Sequence, residues 1–176
     1  TNGALYFTGF AYTVDKAFTL TNFKNKGNIT ISETAEIAEV VYMMGYGYRN
    51  SAVTYDGCSF SGNLTHNGKQ TANTVYMSGL SGEYFSSVII KNGFTNSGKI
   101  SFGGTYSGGG SLHISGLGII SKTPTFGGTI INKGVISFTG KSTHASSQIM
   151  LGGLFANVPS TASIDGTAET DDFVNK

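Results

Sequence analysis

Five short stretches of the chain repeat one pattern of apolar and polar positions. Leu5 and Phe7, Val41 and Met43, Val75 and Met77, Leu112 and Ile114, and Ile149 and Leu151 stand four and two residues before a glycine. Phe10, Tyr46, Leu80, Leu117 and Leu154 follow that glycine directly. Alternation of this kind predicts a half-buried strand, and the glycine predicts a bulge or sharp bend at its end. The glycines lie at 9, 45, 79, 116 and 153, in steps of 36, 34, 37 and 37. A near-constant period of that size predicts a stack of repeats.

A second motif keeps the same period. Asn25-Lys26-Gly27, Asn96-Ser97-Gly98 and Asn132-Lys133-Gly134 each precede a short strand pattern (Ile29 to Ile31, Ile100 to Phe102, Ile136 to Phe138), with Phe60-Ser61-Gly62 as a weaker copy. The turn is expected to supply a position tolerant of positive φ. One repeat therefore reads as strand, loop, short strand, turn, strand and loop. Length varies in residues 32–39, 67–74, 103–111 and 139–148, which are expected to project outward from the stacked strands. Residues 32–40 hold helix formers (Glu33, Glu36, Ala38) but are too few for an independent helix, so they read as a loop.

The predicted fold is all-β: a parallel β-solenoid, right-handed by the usual chirality of parallel crossovers, with about five repeats of roughly 36 residues. One coil per repeat is preferred over two because like residues then pair with like. The repeat domain is expected over residues 1–160. Residues 161–176, with acidic Glu169, Asp171 and Asp172, read as a partial coil or tail.

Composition narrows the function classes. Charged residues make up 12% of the 176 positions, glycine occurs 26 times, proline twice, and the net charge is +1. Such a balance argues against electrostatic binding of nucleic acid or an anionic membrane. No apolar run reaches the length of a membrane helix, so direct insertion by this segment is not expected. Cys58 shares its phase with Phe23, Phe94 and Ile130 and reads as a small core residue. The chain opens at Thr1 within its first strand motif, as a segment of something longer with flanking domains would.

Candidate chemistry is sparse. Tyr6, Tyr42, Tyr76, His113 and Met150 all sit three before the strand glycine, so stacked coils bring them into one column. An exposed ring column offers a platform for sugars or a partner's apolar surface; alternatively it is a ladder that stabilises the sheet. Tyr46, Tyr48, Tyr84 and Phe85 would widen that face. Asn25, Asn96 and Asn132 form a second column, read as stacked structural amides, and Gly45, Gly79, Gly116 and Gly153 as structural bends. Acidic residues occupy different phases, apart from Glu33, Glu36 and Glu39 in one loop, so no catalytic pair is selected. His66, His113 and His144 share no phase and no metal-ligand spacing, and the glycine-rich residues 103–110 lack the lysine and helix of a phosphate loop. No metal, cofactor or catalytic residue is expected.

The ending Gly79-Leu80-Ser81-Gly82, with partial copies at Gly45-Tyr46-Gly47, Gly116-Leu117-Gly118 and Gly153-Leu154-Phe155, resembles the GLUG-type repeats of bacterial surface proteins. With the N-x-G turns, it is similar to repeat regions of large secreted proteins of Bacteroidota and, more loosely, to autotransporter passenger domains. That resemblance implies an exported, surface-displayed region without shared catalytic residues. The expected function is thus a non-enzymatic stalk or adhesin on the outer surface or outside the cell, meeting a host protein or glycan. The alternative is a carbohydrate-binding or carbohydrate-degrading β-helix, lyase, hydrolase or phage tailspike-like.

Overall fold

Residues 3–14, 16–50, 53–84, 88–118, 125–156, 165–166 and 173–175 are described by the computed structural model, and every regular element among them is a β-strand. The second coil shows the plan. Val40–Met44 runs to a bend at Gly45 and is followed by Gly47–Asn50, the long strand Val53–Phe60, Leu64–His66 and Lys69–Gln70. Thr74–Ser78 then begins the next coil directly beside Val40–Met44. All strands pair in parallel with their equivalents one coil away, so the protein is a parallel β-solenoid with one coil per repeat.

Register follows the sequence pattern. Leu5, Val41, Val75, Leu112 and Ile149 lie opposite one another along the stack, as do Phe7, Met43, Met77, Ile114 and Leu151. In the middle coils Val41, Met43, Val75, Leu112 and Ile114 are completely covered. Each such side chain contributes about 1.5–3 kcal/mol on burial. Their equivalents Leu5 and Leu151, at the two ends of the described stack, keep 37% and 49% of their surface because only one neighbour covers them. Past Leu154 the stack goes on: Asp165–Gly166 pairs with Thr125–Phe126 and Phe173–Asn175 with Ile130–Asn132.

Three expectations need correction. First, a coil has five strand positions, not three; the bend glycine is followed by a further strand (Ala11–Val14, Gly47–Asn50, Ser81–Tyr84). Second, the variable loops do not simply project. Each contains a two-residue strand, and Glu36–Ile37, Lys69–Gln70, Thr105–Tyr106 and Lys141–Ser142 stack in register. Third, positive φ does not occur at the N-x-G glycines. It occurs at Asn22, Gly57, Asn92, Gly93 and Gly128, inside the longest sheet, where the pairing shifts between Lys91 and Phe94. A left-handed residue there makes a bulge, which asparagine and glycine tolerate best.

The turn glycines are needed for a different reason. A Cβ on Gly62 would collide with the carbonyl oxygen of Gly27, one on Gly98 with that of Gly62, and one on Gly134 with that of Gly98. Backbones there approach more closely than any side chain allows. Cys58 faces Phe94 and is 2% exposed, in keeping with a core role; burial pushes its thiol pKa up against the opposing effect of its hydrogen bonds.

Candidate functional site

Tyr6, Tyr42, Tyr76, His113 and Met150 are register partners on the first sheet, so the column exists. Its rings stack face to face. Tyr6 and Tyr42 are 4.9 Å apart and inclined by 7°, Tyr42 and Tyr76 4.9 Å and 16°, Tyr76 and His113 4.9 Å and 19°. Of the two readings of the column, this geometry favours the stabilising ladder over an exposed platform. Each inner ring's faces are covered by its neighbours, only ring edges turn outward, and Tyr42 and His113 are 8% and 7% exposed. A sugar stacks on a ring face, so the inner members cannot offer that contact.

A bend in the coil supplies the rest of the cover. After Gly9 and Gly45 the chain turns, and Tyr12 and Tyr48, each three residues past the glycine, fold back against the ladder. Tyr48 lies 4.4 Å from Tyr42 and 4.6 Å from Tyr6, and Tyr12 lies 4.7 Å from Tyr6. Burial first, then the neighbouring Tyr48 and Tyr12, raise the Tyr6 hydroxyl pKa to about 12, so this phenol is neutral at physiological pH. In the third and fourth coils serines hold the bend: Ser78 donates to the Ser81 carbonyl at 2.6 Å and Ser115 to that of Gly118 at 3.0 Å.

The expectation for Tyr46 is corrected. It stands at the inward position shared with Leu80 and Leu117, is wholly buried, and shares its one hydroxyl hydrogen between the carbonyls of Phe23 and Ser59, each 2.8 Å away. It belongs to the core. Tyr84 closes the strand Ser81–Tyr84, and Phe85 lies outside the described residues. Tyr12, 50% exposed, was not singled out from the sequence, although its spacing from Gly9 repeats that of Tyr48 from Gly45. It is the exposed member of the cluster. A groove of about 450 Å³ runs past Ala4, Val40, Tyr42 and Asn73 over three successive coils.

The asparagine column is internal. Asn25, Asn96 and Asn132 are 8%, 1% and 2% exposed and lie in register, with Phe60 interrupting the series in the second coil. Each side chain closes its own turn or grips a neighbour. Asn25 accepts the Gly27 N–H at 2.8 Å and donates to the Gly45 carbonyl, while Asn96 donates to Asn132 Oδ1 at 2.6 Å. Gly79 and Gly116 sit where the Asn96 and Asn132 amides and the next coil's carbonyl leave no room for a Cβ, and at Gly45 the Gly79 carbonyl and the Phe60 ring do the same.

Two buried histidines interrupt apolar or aromatic columns. His66 takes the position of Ile31 and Phe102, and His113 ends the tyrosine run; in both, burial lowers the pKa below the usual 6.5. Among the described residues no three His, Cys, Asp or Glu side chains gather as a metal site would require. Against known proteins, no family model, no curated protein and no solved structure matches the chain.

Proposed function

We propose that this chain is a non-enzymatic repeat segment of a bacterial surface or secreted protein, a stalk or adhesin that carries contact residues at fixed spacing. The observation that carries the reading is the register itself. Every coil repeats the same inward columns and the same parallel edges, so reach grows with coil number while each interface stays alike. Resemblance of the glycine-plus-apolar endings to GLUG-type repeats supports export. Acidic groups scattered over different phases of the coil argue in the same direction.

Within that reading, the contact surface is the rim formed by Tyr12, the edges of Tyr6 and Tyr76, and the groove past Tyr42. With the inner ring faces occupied, a protein or peptide partner fits better than a run of stacked sugar rings. The test has two arms. Antibodies against the chain should decorate intact, unpermeabilised cells of the source organism. The purified chain should bind an extracellular protein and lose that binding on Tyr12→Ala, a change at an exposed ring. Turnover of any polysaccharide by the purified chain, or labelling only after permeabilisation, would overturn the reading.

A further inference from the structure

His66 is wholly buried, and its hydrogen bonds fix where its proton sits. Gln70 Nε2 donates to the Glu39 carbonyl at 2.7 Å, and a carbonyl can only accept, so Gln70 Oε1 is the atom turned toward His66. That oxygen lies 3.2 Å from His66 Nε2 and is itself only an acceptor. Nε2 must therefore carry the hydrogen. In the neutral ring this leaves Nδ1 bare, and Nδ1 is buried with no hydrogen-bond partner.

We propose that His66, Gln70 and Glu39 form an acid-sensitive latch. Below neutral pH a second proton on Nδ1 forces open the corner where the Leu64–His66 strand meets its neighbours. A new N–H at Nδ1 finds no partner in hydrogen-bond geometry, only weak help from the ring's own backbone, and a cation has no counter-charge. The flanking strands bring Ile31 and Phe102 against the ring, the latter at 4.6 Å. Tyr106, packed on Phe102, is neutral, its pKa raised by burial to about 12, and donates to the Asn73 carbonyl. On the adjoining two-residue strands, Lys69 and Glu36 pair with one another at 3.4 Å on the exposed side, and Glu39 meets Gln70 through its backbone alone. Its carboxylate takes the Ala38 N–H at the surface. Among the described residues no charged group faces the imidazole.

The direction of the pH effect follows. Burial lowers the folded-state pKa below 6.5, and the Gln70 hydrogen bond and the ring's own backbone oppose this without overcoming it. The opened state then takes up the proton first, so the latch is fully closed above pH 6.5 and weakens as pH falls below it. One proton of difference changes the opening equilibrium by up to about tenfold per pH unit, over a window that opens at 6.5 and closes at the lowered folded-state value.

Two measurements test this on the intact chain. In a nitrogen–proton imidazole spectrum at neutral pH, His66 should show a single neutral Nε2–H tautomer that resists protonation at pH 6. An Nδ1–H tautomer, or titration near 6.5 with the fold unchanged, would overturn the latch. Hydrogen exchange, corrected for its intrinsic pH dependence, should show the amides of Asn67, Gly103 and Gly104, which donate to Ile31 and His66 carbonyls, losing protection by up to about tenfold per pH unit. Exchange around Ser111–Ser115 reports His113 separately. The double variant His66→Phe, Gln70→Ile copies Phe102 and Ile37 of the same columns and should abolish the local slope. An unchanged slope in that variant counts against the proposal, and the wild-type spectrum decides if the variant does not fold.

Discussion

Backbone proximity, rather than backbone angle, decides which glycines this chain can spare. Gly27 and Gly62 occupy equivalent turns, yet a Cβ on Gly27 would meet its first obstacle, Asn25 Oδ1, at 3.2 Å, whereas one on Gly62 would drive into the Gly27 carbonyl. Gly62→Ala should therefore cost upwards of about 2 kcal/mol by overpacking, and Gly27→Ala under about 1 kcal/mol. Urea denaturation of the two variants measures the difference, and equal losses would show that the turn's conformation is what matters. The motif spacing announced both glycines, but it could not say why they are there. An N-x-G turn suggests a left-handed residue, whereas the left-handed positions lie at Asn22, Gly57, Asn92, Gly93 and Gly128, and Asp-Gly, Asn-Gly and Gly-Gly pairs recurring with the repeat at Gly57, Gly93 and Gly128 carried the signal instead. The burial of Asn25, Asn96 and Asn132 was equally hard to read: an amide that caps its own turn looks the same in sequence whether it faces water or the interior.

At the level of the strand, period-two alternation located the first sheet and its register correctly, because burial on one face leaves a direct signature. The two-residue strands stayed hidden, since two residues carry no periodicity, and the choice between ladder and platform for the outward column stayed open for a related reason. Alternation tells which face a residue is on, not what lies over that face. Here the bend after the glycine brings Tyr48 back over Tyr42, so an outward ring becomes a covered one. Tyr42→Ala should then behave as a core truncation, losing about 3–4 kcal/mol, while Tyr12→Ala, at a half-exposed ring, should lose no more than about 1 kcal/mol. Thermal or chemical unfolding distinguishes them. Comparable small losses would restore the reading of the ladder as a free surface.

For the molecule as a whole, the test of a stack is whether coils are interchangeable. Each coil touches only its two neighbours, so stability should be close to a sum of coil terms and interface terms. Excising residues 80–116 joins Gly79 to Leu117 at equivalent bends. It would set Val75 and Met77 beside Ile149 and Leu151, Cys58 beside Ile130, Leu64 beside Ile136 and His66 beside Phe138, pairings of the same chemistry as those they replace. The Gly57 bulge would meet Gly128, which also has positive φ. Such a chain is expected to fold with unchanged β-type circular dichroism. Its dependence on denaturant should be shallower, roughly in proportion to the surface removed, because that slope tracks the area exposed on unfolding. Duplicating the same residues should steepen it. A shortened chain that fails to fold, while its lengthened counterpart does fold, would mean that the third coil holds something its neighbours cannot replace. The nearest candidate is Asn96, which joins the turn at Gly98 to Asn132 in the next coil.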